Sequence, residues 1–410
     1  MPFPRCKLNL TLPLAAIVTV LGLCGSARGA PEYKVLHSFT GTDGSGPWGG
    51  VTLGRNGSVY GTTAGGGVCG TVFRLTPQAS GHWKEIVLHQ FGSGHDPCDP
   101  NSTVIFDEAH NLYATSVGGG DYYSGTVFEL THGPTGWAAS TLYSFGTQGG
   151  DGGDPTAGLV MDKAGNLYGT APRSGPTQGG TVFELTPDSG GWKETVLYAF
   201  AAQENDGAAP YAGLITDAAR NFYGTTQYGG TRCGSSSCGT VYELTPVSGG
   251  GWKETILHRF DDNGKDGFTP SWGALIMDAS GSLYGTTSGG GCCGGVVYKL
   301  TPSAGGHWKE TILYEFRGGA SGYEPNAGVV MDRSGRLYGT TDYGGSGCGV
   351  IYKLAPKAKG KWKYTVLHTF EGVDGCIPEG NLALDKKGNL YGGTVLGGTS
   401  GNGVVFELTP

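Results

Sequence analysis

One sequence unit recurs seven times along the chain at intervals of about 55 residues, and this repeat constrains the fold more than any other feature. Its clearest copy, residues 157–200, contains four short runs rich in Val, Leu, Tyr, Phe and Thr, separated by turn-forming residues. Runs of this length and composition are typical of β-strands. Four antiparallel strands per repeat predict an all-β fold, a seven-bladed β-propeller.

The predicted strands of each unit share fixed landmarks. A Tyr marks the second strand and a Phe or Tyr the third, and in six units a Trp opens the fourth strand. An Asp stands six residues before the second-strand Tyr in six units, and we expect it to cap the first turn. The first strand is predicted to line the central channel. The fourth, with exposed Lys and Glu side chains, is predicted to be outermost.

One position of the fourth strand alternates between His and Tyr. Because Tyr replaces His there, we predict a packing role for this position rather than a ligand role. Its members are His37, His89, His258, His368, Tyr143, Tyr198 and Tyr314.

The two ends of the chain predict how the ring closes. Residues 33–39 form a fourth strand that no first three strands precede, and residues 403–410 form a third strand that no fourth follows. The N-terminal strand is therefore expected to complete the last blade, which removes the unpaired edges of a linear array. The predicted organisation is a signal peptide over residues 1–30 and a propeller over residues 31–410.

The first thirty residues differ from the rest of the chain. Arg5 and Lys7 precede an apolar run that ends near Cys24, and small residues follow. This pattern is typical of a secretory signal peptide, so we expect a secreted protein, extracellular or periplasmic, with no membrane span after cleavage. The net charge is −7, and these thirty residues carry three positive and no acidic residues, which leaves the remainder near −10. Such an acidic chain argues against nucleic acid as a partner.

Eight cysteines follow the signal region, and an even number in a secreted chain predicts disulfides. Cys69 and Cys348 each precede a third strand, and Cys98 and Cys376 lie in the link that follows the fourth strand. Both links emerge on one face of an up-and-down blade, so Cys69–Cys98 and Cys348–Cys376 bonds are predicted. A Cys233–Cys238 bond would close a small loop within one link. For Cys292 and Cys293, either a vicinal disulfide or two free thiols fits the sequence.

Three segments of the unit carry a resemblance to a known repeat. Gly-Asn-Leu-Tyr-Gly-Thr at residues 165–170, Gly-Thr-Val-Phe-Glu-Leu-Thr-Pro at 180–187 and Trp-Lys-Glu-Thr-Val-Leu-Tyr at 192–198 resemble the GloVer tandem repeat of secreted bacterial proteins. The resemblance covers nearly the whole chain after the signal region and implies a propeller-like protein of the choice-of-anchor group. Many members end in a surface anchor, but the last residues here belong to a repeat, so no such anchor is expected. The resemblance implies no catalytic residues.

Candidate functional residues lie where the repeats differ, in the links on one face of the ring. The link before each first strand contains a Pro, and the residues after this Pro should surround the channel mouth. Aromatic rings beside carboxylates and amides suit the stacking and hydrogen bonding of sugar rings. The predicted binding residues are Trp48, Asn101, Tyr211, Trp272, Asn326 and Glu379 of the mouth, where Thr156 and Ser271 also lie, and Tyr123 of the other variable link.

We predict a non-catalytic extracellular binding protein, expected to be a monomer, whose ligand is a glycan or another protein. The alternative is a carbohydrate-active enzyme, a polysaccharide lyase or a glycoside hydrolase, that works at the same face. Its candidate catalytic residues are His95, Tyr122, Arg173 and Arg232. No cofactor is expected apart from a structural Ca²⁺, with Asp262 and Asp266 as candidate ligands in a segment that lacks the closing Glu of an EF-hand.

Overall fold

A computed structural model gives the fold of the chain. It describes residues 30–146, 150–201, 206–230, 232–233, 236–270, 272–292 and 294–410, with the backbone alone at 232–233 and 236–237. The predicted signal peptide lies outside these residues apart from Ala30. Everything described below belongs to one unit, Pro31–Pro410.

Seven four-stranded antiparallel sheets form the blades of a β-propeller, as predicted, and the ring contains no long helix among the described residues. From the channel outward, blade 1 consists of Val51–Leu53, Val59–Thr63, Thr71–Pro77 and Trp83–Gln90, and blade 2 of Ile105–Phe106, Leu112–Ser116, Thr126–Gly133 and Gly136–Ser144. Blade 3 consists of Val160–Met161, Leu167–Ala171, Thr181–Asp188 and Gly191–Ala199, and blade 4 of Ile215–Thr216, Phe222–Thr226, Thr240–Pro246 and Trp252–Arg259. Blade 5 consists of Ile276–Met277, Leu283–Thr287, Val296–Pro302 and Trp308–Glu315, and blade 6 of Val330–Met331, Leu337–Thr341, Val350–Pro356 and Trp362–Thr369.

Blade 7 closes the ring with strands from both ends of the chain. Its inner strands are Ala383–Leu384, Leu390–Thr394 and Val404–Thr409, and its outer strand is Glu32–Ser38. The antiparallel register places Glu32 opposite Thr409, and Tyr33 stacks on His368 of blade 6 with 3.7 Å between ring centroids. The predicted pairing of the two chain ends is confirmed.

Short elements lie in the connections between the strands. Three two-stranded ribbons pair Gly207–Ala208 with Tyr228–Gly229, Arg232–Cys233 with Ser236–Ser237, and Gly267–Phe268 with Gly289–Gly290. The helical segments of the described chain are three 3₁₀ turns, Ala304–Gly306, Gly319–Ser321 and Ala358–Gly360.

The blades pack against each other through one repeated aromatic contact. The Phe that follows each outer strand meets the third-strand Phe or Tyr of the next blade edge-on, as Phe91 meets Phe128 with centroids 4.9 Å apart. Edge-to-face pairs at this distance are favourable beyond the area that they bury. The same contact occurs at every blade boundary, in the pairs Phe39–Phe73, Phe91–Phe128, Phe145–Phe183, Phe200–Tyr242, Phe260–Tyr298, Phe316–Tyr352 and Phe370–Phe406.

The recurrent Asp of the first turn caps that turn, as expected. Oδ1 of Asp162 accepts hydrogen bonds from the backbone N–H groups of Ala164 and Asn166, at 2.8 and 3.0 Å. The Tyr168 hydroxyl donates to Oδ2 of the same carboxylate at 3.2 Å and to Glu184 at 2.8 Å. The fixed spacing of six residues therefore places a second-strand hydroxyl over the carboxylate that holds the turn.

Two of the predicted disulfides are present. Cys69 is bonded to Cys98 and Cys348 to Cys376, which tie the two links of one face together in blades 1 and 6. Cys238 is disulfide-bonded, and its predicted partner Cys233 lies outside the described side chains. Cys292 is a free, exposed thiol, and Cys293 is outside the described residues.

One expectation about the outer strand is wrong. The Lys residues there are exposed, but Glu85, Glu194, Glu254 and Glu310 are half-buried at the boundary with the preceding blade. Burial raises the pKa of Glu85, Glu194 and Glu254 to about 7 in each case. Each outer strand is partly covered by the neighbouring blade. A side chain on the outermost strand of a blade is therefore not always exposed to solvent in the assembled ring.

Candidate functional site

The mouth of the channel is shaped by a turn around the Pro of each link. The residue before this Pro adopts a positive φ, which is uncommon for residues other than Gly, and Glu324 at φ 56° and Ile377 at φ 60° are examples. Four links add a hydrogen bond from the N–H after the Pro to the carbonyl before it, as from Glu379 N to Ile377 O at 3.1 Å. This bond defines a γ-turn. The turn directs the residue after the Pro toward the channel axis.

Hydrogen bonds between blades hold these turns in place. A second-strand Thr donates to a backbone carbonyl in the link of the next blade, and the Thr170 hydroxyl reaches Ala212 O at 3.1 Å. Five boundaries share this bond, with donors Thr62, Thr115, Thr170, Thr286 and Thr340. Small residues permit the close approach of the chains, because a Cβ on Gly273 would lie only 2.2 Å from Gly328 N. The mouth is thus a built ring rather than a set of independent loops.

A cavity of about 360 Å³ opens at this mouth. Five of the seven predicted binding residues line it, namely Trp48, Asn101, Tyr211, Trp272 and Glu379. Thr156 lines it as well, together with Asn381 and small residues such as Gly158, Gly213 and Ala274. Ser271 lies outside the described residues.

Three aromatic side chains present apolar faces at the cavity. Trp48 and Trp272 are 37% and 39% exposed, although side chains of this size are usually buried. The rings of Tyr211 and Trp272 contact each other with centroids 4.9 Å apart and an angle of 45° between their planes. Asn101 places a buried Oδ1 with no hydrogen-bond partner at the same cavity. The site therefore combines apolar faces with a polar group that a ligand can satisfy.

A pair of carboxyl groups lies at one edge of the cavity. Asn326 does not line the cavity but donates a short side-chain hydrogen bond to Asp342 Oδ2. Asp342 is 1% exposed, and the carboxyl of Glu379 is close enough to interact with it electrostatically. Burial, with repulsion from Glu379 and Glu324, raises the pKa of Asp342. Burial and the charge of Glu324 raise the pKa of Glu379, whereas its interaction with Asp342 lowers it.

The candidate catalytic residues of the lyase reading lie at the rim, outside the cavity. His95 Nδ1 is 3.1 Å from Asp121 Oδ1, and both side chains are about two-thirds exposed. Tyr122 and Tyr123 are exposed in the same part of blade 2, with the Tyr123 ring 6.0 Å from that of His95. Arg173 pairs with Asp154 at 3.0 Å in blade 3. The side chain of Arg232 lies outside the part of the chain that the structure describes.

A second set of polar residues, which sequence reasoning missed, lies between blades. In blades 2, 4, 6 and 7 the alternating His or Tyr of the outer strand is hydrogen-bonded to an Asp of the following link, so its role there extends beyond the predicted packing. His258 Nε2 is 3.1 Å from Asp266 Oδ2 and 3.6 Å from Glu310 Oε1 of the next blade. The recurrence of Asp-Gly some six to eight residues after the His or Tyr was the available signal.

The two predicted Ca²⁺ ligands have different surroundings. Asp262 is exposed, whereas Asp266 is buried, and its carboxylate accepts bonds from its own link in addition to His258. Asp266 groups instead with His258 and Glu310, whose ligand atoms lie within 4.8 Å of one another. These three residues, rather than an Asp262–Asp266 pair, form the group in the described chain that could hold a metal ion.

The fold and its repeated mouth define a β-propeller built from tandem repeats. The sequence model of the Gloeobacter/Verrucomicrobia repeat matches residues 26–234 and 231–410, and the chain belongs to this repeat family. No curated protein matches the chain.

Two solved structures are similar to this chain in fold. The crystal structure of polysaccharide lyase Uly1 aligns with a TM-score of 0.51 and 12% identity, covering 91% of each chain. A protein from Lactobacillus plantarum aligns with a TM-score of 0.51 and 14% identity, covering 86% of this chain and 99% of its own. At these identities the likeness extends to the fold alone.

The disulfides indicate folding in an oxidising compartment outside the cytoplasm. A search of the described residues for a helix of the length and apolarity that a bilayer span requires finds none.

Proposed function

We propose that this protein is a secreted, non-catalytic binding protein that holds part of a glycan in the cavity at the channel mouth. The observation that carries the proposal is the convergence of Trp48, Tyr211 and Trp272 on one cavity that also contains Asn101 and Glu379. Sugar rings have apolar C–H faces, which pack on aromatic rings, and hydroxyl groups, which pair with amides and carboxyls. Binding sites for small ligands have this combination of apolar walls and a few placed polar groups.

A glycan suits this site better than a protein partner does. The cavity, at about 360 Å³, lies near the lower end of the volume range for small-molecule sites, which suits a short stretch of sugar. A protein partner would need a contact surface of about 800 Å² on each side. The aromatic residues that would anchor such a surface are instead gathered around a concavity.

The alternative, in which the same face cleaves a polysaccharide, has weaker support. His95, Tyr122 and Arg173 are outside the residues that line the cavity, so they are poorly placed to act on a sugar held there. A glycoside hydrolase needs two carboxyls, roughly 5 to 10 Å apart, that both reach the substrate, and Asp342, the neighbour of Glu379, is buried and does not line the cavity. Product analysis after incubation with polyuronates and neutral glycans tests this alternative, and the release of oligosaccharides would overturn the non-catalytic assignment.

Secretion and the oligomeric state belong to the same proposal. The apolar run near the N-terminus supports export through a cleaved signal peptide, and the disulfides agree with folding outside the cytoplasm. We expect the mature protein to be a monomer that does not bind nucleic acid, because its net charge is negative.

A glycan array probed with the mature protein tests the proposal. We expect binding to a defined set of glycans and a roughly two- to tenfold loss of affinity for Trp48→Ala and for Trp272→Ala, since an aromatic ring contact contributes about 0.5–1.5 kcal/mol. Tyr228→Ala is the matched control, because Tyr228 is 44% exposed but does not line the cavity. Equal losses in all three variants, or no glycan bound at all, would refute the mouth as a glycan site.

A further inference from the structure

The edge of the mouth cavity formed by blades 6 and 7 carries a cluster of carboxyl groups. Glu379 lines the cavity, Asp342 lies behind it, and Glu324 of the neighbouring link adds to the repulsion that both feel. Among the described residues that line the cavity there is no Lys, Arg or His. Arg173, a cation of the same face, is already paired with Asp154. The carboxyl pair is therefore not neutralised by a protein cation at the cavity wall.

One oxygen of this pair lacks a hydrogen-bond donor. Asp342 Oδ2 is engaged by Asn326, but Oδ1 is buried and has no partner, in a side chain that is 1% exposed. The neighbouring carboxyl of Glu379 can donate a hydrogen bond only when it carries a proton. A buried carboxylate without a donor or a cation is costly, so the pair either shares a proton or receives a positive group from outside.

Aromatic rings of the same cavity suit a positive group as well. The backbones of blades 7 and 1 meet where a Cβ on Gly380 would lie 2.9 Å from Trp48 O, so Glu379 and Trp48 belong to adjoining segments of the mouth. Tyr211 and Trp272 line the same cavity. A cation over the face of Trp or Tyr is attracted by the ring, and an aromatic cage beside carboxyls is a known way to bind ammonium groups.

We propose that the mouth selects a glycan that bears a free ammonium group, an amino sugar that is not N-acylated, with its nitrogen at the Glu379–Asp342 pair. This inference rests on the proposed glycan-binding function and names the class of sugar. The ammonium N–H groups donate to the carboxylate of Glu379, which lines the cavity, and the proton that this carboxyl held passes to the solvent, while Asp342 stays buried behind it. A uronate would instead bring a second negative charge to this edge and is disfavoured.

Isothermal titration of the mature protein with length-matched oligomers tests the inference. The probes are β-1,4-linked oligomers of glucosamine, N-acetylglucosamine, glucose and mannuronate. We expect the glucosamine oligomer to bind about tenfold or more tightly than the others, because a charge-assisted hydrogen bond is replaced by a neutral one in its competitors. Repeating the titration in two buffers of different ionisation enthalpy should show release of a proton for glucosamine alone.

Glu379→Gln is the critical variant, and Glu108→Gln is its control. Glu108 is an exposed residue in the turn after the first strand of blade 2, on the face opposite the mouth, so this change removes the same charge without touching the cavity. Glu379→Gln should abolish the preference for glucosamine and the proton release, whereas Glu108→Gln should keep both.

The other outcomes refute either the ammonium inference or the glycan-binding function. Binding of the acetylated or glucose oligomer with equal or higher affinity would overturn the ammonium inference and leave the glycan-binding function standing. A preference for glucosamine that persists in Glu379→Gln would also overturn it. Failure of the four oligomers and of the array to bind would refute the glycan-binding function itself.

Discussion

Replacement of Glu254 by Gln should stabilise the propeller at alkaline pH and leave its stability unchanged in acid. Glu254 lies on the outer strand of blade 4 and is half-buried against blade 3. Burial raises its pKa to about 7, and the charge of Asp206 adds to this, while Arg259 and a hydrogen bond from Tyr198 act in the opposite direction. Tyr242, a buried neighbour, is neutral throughout the range considered.

The sign of the effect follows from the order of the two pKa values. In the unfolded chain the carboxyl has a pKa of about 4.5, so between about pH 4.5 and pH 7 the folded protein holds a proton that the unfolded chain has lost. The free energy of unfolding therefore falls as the pH rises through this window and stays lower above it. A difference of about 2.5 in pKa corresponds to about 3.4 kcal/mol, and solvent screening at a half-buried site reduces this to roughly 2 kcal/mol.

Urea denaturation followed by Trp fluorescence measures this difference. Gln cannot ionise, so Glu254→Gln should exceed the parent protein by roughly 2 kcal/mol near pH 8 and match it near pH 4.5. Glu108→Gln, at an exposed turn, should show no gain at either pH. Other titrating groups, including the His residues between blades, are present in both proteins and cancel in the comparison. A gain of equal size at both pH values, or none near pH 8, would refute the role assigned to burial.

Three further predictions concern the ring, a disulfide and a turn. Tyr33→Ala should lower the free energy of unfolding by about 3 kcal/mol in urea titrations, because it removes the ring stacked on His368; a loss below about 1 kcal/mol would contradict a closing role. The double variant Cys69→Ser with Cys98→Ser removes the bond that closes a loop of 29 residues and should lower the free energy of unfolding by roughly 3–4 kcal/mol in the same titrations. A loss below about 1 kcal/mol would contradict a stabilising role of this disulfide. Asp217→Ala removes the acceptor of two turn amides and should speed their hydrogen exchange, and unchanged rates would exclude the capping role.

The blades, the ring closure and two disulfides could be predicted because they depend on spacing. Six residues from Asp162 to Tyr168 fix a hairpin, and the same spacing recurs in other units. Once four strands per unit are accepted, the two links of a blade must emerge on one face, which brings Cys69 to Cys98. The strand Glu32–Ser38 pairs with the strand Val404–Thr409 because the last blade is the one that lacks a fourth strand of its own.

The carboxyl pair and the buried Glu residues could not be predicted because they arise between units. Asp342 belongs to the link inside blade 6 and Glu379 to the link that leads into blade 7, and spacing within a repeat says nothing about their contact. Glu254 has the pattern of a solvent-facing residue within its strand, and only the preceding blade buries it. The positive φ before each link Pro, as at Ile377, also runs against the usual preference for extended backbone there.

The contrast between repeated and varied positions supports the proposal that the mouth is the functional surface. At the blade boundaries the structural requirement admits only similar residues, so each pair there is a Phe with a Phe or Tyr. At the mouth an equally regular backbone presents a different side chain from almost every blade, among them Trp48, Asn101, Tyr211 and Glu379. Packing does not require this variety, because these positions are equivalent in the ring. Binding of a ligand would require it, since a sugar held across the channel axis presents a different group to each blade.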